Sequence, residues 1–233
     1  MSRTIYMVQG CKGGTGKSTF TLALIDYLDN IGKKIFVIDA DTSNPDVGII
    51  IESSGGKVEY RDLDLDTGWI KLLNDCEEHR NCDVVINSAA RSEHAMNRFI
   101  HSLTSALPDL KRTLVIYWVL NHQRYSVELL ENFMEIIGTS KTPCVVHAVK
   151  NEYFGRAENF GYFDSSDIKS QITEGGGSII TLPRLDDINI SEIMNNQMSI
   201  AKAMKKLPFG NRHFLDSWRS RVAKQIEFTM GVL

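Results

Sequence analysis

At 233 residues, 42% hydrophobic and 24% charged, the chain has the make-up of an ordinary globular domain and can bury a core without disulfides or structural metals. A formal charge of -3 excludes a polycation built as a whole for nucleic acid, and four cysteines without C-x-x-C spacing (11, 76, 82 and 144) read as reduced thiols, not a disulfide framework. No apolar run approaches the ~20 residues that span a bilayer, and "MSRTIYMVQG" lacks a signal-peptide core, so a cytoplasmic protein, at most surface-bound, is expected.

In chain order, "TIYMV" (4–8) predicts a first strand that runs directly into the glycine-rich stretch "VQGCKGGTGKST" (8–19). Phe20, Leu24, Tyr27, Leu28 and Ile31 then fall on one face of a helix that stops at Gly32. A second strand, "KIFVID" (34–39), precedes "ADTSNPDVG", and "EYRDLDLD" (59–66) alternates as an edge strand would, its acids facing water. "GWIKLLNDCEEH" (68–79), "SEHAMNRFIHSLTSAL" (92–107) and "SVELLENFMEIIG" (126–138) predict helices. They are interleaved with the strands "DVVIN" (83–87), "TLVIYWVL" (113–120), "CVVHAV" (144–149) and "SIITL" (178–182). Continuous apolar strands alternating with helices predict an α/β fold: a doubly wound, mainly parallel sheet with helices on both faces. With no internal repeat or low-complexity linker, residues 1–233 are expected to form a single domain, ending in a basic helical segment at about 197–233. Residues 150–176 offer aromatics and charges that fit a partner surface or a lid.

The loop carries the clearest chemistry. It departs from G-x-x-x-x-G-K-[ST] only at Cys11, where the first glycine would stand. Between a strand and a helix, Gly13, Gly14 and Gly16 let the chain wrap phosphate oxygens, with Thr15 and Thr19 in the same cradle. Lys17 would reach the β- and γ-phosphates and Ser18 would ligate Mg²⁺.

"KGGTGKST" resembles the deviant Walker A motif of the ParA/MinD ATPases, which has a lysine at the position of Lys12. The resemblance implies a P-loop NTPase fold, ATP and Mg²⁺ as ligands, and an ATP-dependent homodimer in which Lys12 reaches the partner's phosphates. On the same basis "VIDADTSNPDVG" (37–48) is similar to the family's D-x-D switch, implying Asp39 near the Mg²⁺ shell and Asp41 orienting the attacking water. The Walker B strand of the family ends in Asp, whereas "CDVVINSAA" (82–90) ends its strand in Asn87, which brings no charge to the metal; hydrolysis is therefore expected to be slow or partner-stimulated. Asn121 in "VLNHQR" matches the family's base-binding asparagine, and Pro183 opens the loop beside the base.

Residues 201–233 hold Lys202, Lys205, Lys206, Arg212, Arg219, Arg221 and Lys224 against Asp216 and Glu227, a formal +5 on an acidic body. Non-specific DNA is the expected partner of these cations, beside a partner protein such as a DNA-bound adaptor or transfer component, in plasmid partition, stability or transfer. The alternative is a membrane-surface helix of the MinD kind, with Phe214, Trp218, Val222 and Ile226 as its apolar stripe. The first reading places the protein on the nucleoid, the second at the membrane periphery.

Overall fold

Each strand sends alternate side chains to opposite faces, and both faces are covered. The computed structural model describes residues 3–11, 13–90, 93–138 and 144–231. In it β1 (Arg3–Gly10) leads through the glycine loop to α1 (Lys17–Asn30), followed by β2 (Ile35–Asp39), α2 (Asp46–Ser53), β3 (Val58–Tyr60), α3 (Asp66–Glu78) and β4 (Asp83–Asn87). Then come α4 (Glu93–Leu110), β5 (Arg112–Leu120), α5 (Arg124–Gly138) and β6 (Val145–Asn151). Two 3₁₀ turns, α6 (Gly161–Asp164) and α7 (Ile168–Glu174) lead to β7 (Ile179–Leu182), and α8 (Asp187–Asn195), α9 (Ile200–Lys206) and α10 (Phe209–Thr229) close the chain.

Among the described residues the sheet has seven strands in the order β3-β2-β4-β1-β5-β6-β7, and every pair is parallel. All strand carboxyl ends therefore share one edge, where ligands bind in such sheets. Ile5, Met7, Phe36, Ile38, Val84 and Ile86 point to the core under α3 to α7. Tyr6, Val8, Val37 and Val85 point to the core under α1, α2 and α8 to α10. The predicted doubly wound α/β architecture is the one observed.

Two local expectations change, and one segment gains a description. Ile31 is 47% exposed, because α1 has already ended at Asn30 and the chain turns at Gly32 with φ 74°. The alternating segment 59–66 is a strand only as far as Tyr60: Asp62 accepts from the Asp64 amide at 3.0 Å, an Asx turn that ends the pairing and aims Leu63 into the core. Residues 150–176, read from sequence only as a partner surface or a lid, fold around one lysine. Lys150 is buried, donates to Asp164 at 2.6 Å and to the Ala157 carbonyl at 3.2 Å, and lies over Phe160 and Phe163. One buried cation thus organises the excursion from β6 to α7.

Arg112, at the start of β5, is buried and caps the end of α3. Its guanidinium donates to the carbonyls of Cys76, His79 and Cys82 at 2.7–3.2 Å, placing a positive charge on the negative end of the helix. Replacing Arg112 with Met strands those carbonyls and is expected to cost about 3 kcal/mol, read as a lower urea midpoint at unchanged slope.

Candidate functional site

The glycine loop sits at the carboxyl edge between β1 and α1. Gly14 and Gly16 have φ of 76° and 97°, a region that disfavours side chains. Gly16 is also hemmed in: a Cβ there would lie 2.2 Å from Asn151 Nδ2. Gly16→Ala is accordingly expected to push the loop off Asn151 and weaken nucleotide binding at least tenfold, with a stability loss of only about 1–2 kcal/mol, measured by calorimetry and urea unfolding on the same protein. At Gly14 an added Cβ would meet nothing within 4 Å, so this side of the loop is open. The N-cap of α1 is Gly16, which offers no side-chain cap, so the N-terminal end of the helix faces the loop as it does at anion sites. Lys17 and Thr15 are buried beneath this turn, while Ser18 and Thr19 are half-buried. Left-handed glycines, a helix N-terminus without a side-chain cap and a buried lysine together suit a polyphosphate. Lys12 lies outside the described residues.

At the end of β2, Asp39 is fully buried. Its Oδ1 accepts from the Asp41 amide at 3.1 Å and from Asn87 Nδ2 at 2.9 Å, and its Oδ2 accepts from the Gly48 amide at 2.8 Å. Burial raises the Asp39 pKa above the usual carboxylate value, and the bonds from Asn87, Gly48 and Asp41 oppose that shift. Asn87 also accepts from Thr21 Oγ1 at 3.1 Å, so both ends of its carboxamide are engaged. An Asp at 87 would set a second carboxylate about 2.9 Å from Asp39 Oδ1, with nothing to donate between them. The neutral amide is therefore the partner that Asp39 requires. Asp41 is half-buried, with Oδ1 accepting from the Asn44 amide at 3.2 Å. For Mg²⁺, which takes one or two protein ligands beside phosphate oxygens, Ser18 and the Asp39–Asn87 pair supply suitable oxygen chemistry at the same sheet edge.

The two asparagines at the ends of β5 and β6 are separated by their contacts. Asn121 is buried on the Cys11 side of the loop: its amide donates to Ser126 Oγ, which also receives the Cys11 thiol at 3.3 Å, and its Oδ1 accepts from the Gln123 amide at 2.9 Å. Asn151 instead touches the loop itself, donating to the Thr15 carbonyl at 2.7 Å. Sequence reasoning missed Asn151 because the apolar run "CVVHAV" ends two residues earlier, although a polar residue closing a buried strand was the available signal. Pro183 is buried beyond β7, and its carbonyl accepts from Trp218 Nε1 at 2.7 Å.

The basic segment divides. Arg219 holds the buried carboxylate of Asp26 through two bonds of 2.6 and 3.1 Å, and Lys202 donates to the Ser53 carbonyl at 3.0 Å. Both serve packing. Arg212 is half-buried, whereas Lys205, Lys206, Arg221 and Lys224 are exposed. The stripe expected to meet a membrane is also spent on packing: Trp218, Val222 and Ile226 are at most 2% exposed, docked with Leu215 in the α1-side core. Phe214 is 67% exposed and does not belong to that stripe, because Leu215 takes the buried helical position. Among the described residues no helix is long and apolar enough to cross a membrane.

Comparison with known proteins agrees with this geometry. The family model described as the CobQ/CobB/MinD/ParA nucleotide binding domain matches residues 6–160. Protein MobD of Acidithiobacillus ferrooxidans is 40% identical over 227 residues, covering 97% of this chain and 98% of that one. The MinD cell division protein of Aquifex aeolicus superposes with a TM-score of 0.55 at 15% identity, covering 95% of this chain and 97% of that one. A nucleotide-binding protein from Archaeoglobus fulgidus, solved with ADP, has a TM-score of 0.50 at 16% identity, over 88% of this chain and 92% of that one. A glycine loop of this form at the edge of an all-parallel sheet, a family match over most of the chain and a near full-length relative establish that the chain belongs to the CobQ/CobB/MinD/ParA nucleotide-binding family, as a ParA/MinD-type ATPase of the MobD-like branch.

Proposed function

We propose that residues 1–233 act as one ATP-dependent dimerising switch that binds DNA non-specifically, in plasmid partition, stability or transfer, together with a partner protein. The observation that carries the reading is the conjunction at one sheet edge of the N-terminal end of α1, buried Lys17 and the Asp39–Asn87 pair. The loop amides and Lys17 hold the phosphates of ATP. Bound Mg²⁺ would screen the charge between the β- and γ-phosphates; Ser18 would ligate it, with Asp39 and Asn87 behind. Lys12 would complete the partner's site, which makes the dimer the nucleotide-dependent state. Asp41, on the switch segment leading to α2, would orient the attacking water. Since Asn87 adds no charge to Asp39, hydrolysis is slow until a partner adjusts the site. Asn121 and Pro183 would serve the base, as the family resemblance implies.

Within the basic segment, DNA contact falls to the exposed cations, Lys205, Lys206, Arg221 and Lys224, because Lys202, Arg212 and Arg219 are packed or half-buried. Anisotropy titration of a labelled duplex tests the reading. Binding is expected with Mg²⁺ and ATP, weaker with ADP, falling steeply with salt and lost when these four residues become Glu. Duplex binding indifferent to nucleotide, or none at all, would refute it. On this reading the protein would work in the cytoplasm on the nucleoid; the burial of Trp218, Val222 and Ile226 weighs against the membrane alternative.

A further inference from the structure

The loops leaving β6 and β7 carry a ring and a guanidinium that the phosphate chemistry leaves unused. The strands are parallel neighbours with Asn151 opposite Leu182, so the two loops emerge side by side next to Gly16. Asn151 joins them to the phosphate cradle: Nδ2 donates to the Thr15 carbonyl, while Oδ1 accepts from the Tyr153 amide at 3.0 Å. The side chain that touches the loop therefore also fixes the turn bearing Tyr153. Tyr153 is 55% exposed; its ring meets the edge of Phe154, with centres 5.3 Å apart, and the guanidinium of Arg184, whose Cζ lies 5.6 Å from the ring centre. Arg184 follows Pro183, anchored by Trp218, and its outer nitrogen holds the exposed carboxylate of Asp187 at 3.2 Å. On its other side Arg184 borders a shallow, open surface cleft shared with Glu152, Arg156 and Glu158, so its guanidinium is not walled in over the ring.

We infer that Tyr153 is the stacking platform for the purine of the bound nucleotide, and that Arg184 competes with the purine for the same face of the ring. The inference rests on the reading of the glycine loop as the phosphate site. A ring held half in water within two residues of the loop contact offers a π-face that any purine matches, whereas a cation over an exposed ring is held only weakly. Tyr153 thus serves affinity for the base without touching phosphate, and Arg184 acts as an internal competitor.

Calorimetric titration of the full chain with ADP and with inorganic tripolyphosphate separates the claims. Tyr153→Ala is expected to weaken ADP about ten- to a hundredfold and to leave tripolyphosphate within twofold of the natural protein, with Tyr153→Phe restoring the affinity for ADP. Arg184→Ala is expected to bind ADP at least as tightly as the natural protein. Equal weakening of both ligands by Tyr153→Ala, no weakening of either, or a tenfold loss of ADP affinity in Arg184→Ala would overturn the inference while leaving the phosphate site intact. Failure of the natural protein to bind either ligand would overturn the phosphate site and the inference with it.

Discussion

Lys17→Ala is expected to lower the affinity for ATP by about a hundredfold or more, while leaving the unfolding free energy within about 1 kcal/mol of the natural protein. Lys17 is buried at the first turn of α1, whose N-terminal end is positive, so its charge adds to that of the helix end facing an anion. Removing it takes away a charged partner of the phosphates, while Ala, the best helix former, keeps the first turn of α1. Isothermal calorimetry with Mg²⁺ and ATP, paired with urea unfolding without nucleotide, checks both halves. A variant that loses stability and binding in proportion would mean that Lys17 acts as a packing residue.

Asn87→Asp, which restores the usual acidic strand end, is expected to harm the protein at neutral pH. The Nδ2 bond to Asp39 Oδ1 would be replaced by two carboxylates about 2.9 Å apart in a buried site, a change expected to cost about 2–3 kcal/mol. The sign of the pH dependence follows. The variant pair holds one proton more tightly when folded than when unfolded, so its folded-state pKa is raised. Stability is then retained at acidic pH and lost as pH rises through that value. Thermal unfolding between pH 5 and pH 8 should show the gap to the natural protein widening with pH. A gap that is constant, or that closes toward pH 8, would contradict the account of Asn87.

Periodicity and motif spacing carried most of the architecture. The strands of 83–87 and 113–120 were readable because both faces of a central parallel strand are apolar, and the glycine loop was readable because its chemistry constrains consecutive residues. What failed was set by partners distant in sequence. Phe214 and Leu215 are adjacent apolar residues, and only the docking of α10 against α1 and β7 decides which is buried. Arg219 counts as a cation in composition, yet the buried carboxylate of Asp26 neutralises it, and the Ser53 carbonyl ties down Lys202. Asn121 and Asn151 close neighbouring strands with the same residue type, and a contact across 136 residues, to Thr15, distinguishes them. Asn87 looked like a defect while it was judged alone; beside Asp39 it is the neutral half of a hydrogen-bonded pair.

ATP-driven dimerisation is the central claim, and solution mass measures it most directly. Size-exclusion chromatography with light scattering, run with Mg²⁺ and ATP, with ADP and without nucleotide, should give a dimer only with ATP for the natural protein and a monomer throughout for Lys12→Ala. A monomer under all three conditions, or a dimer that ignores the nucleotide, would contradict the account.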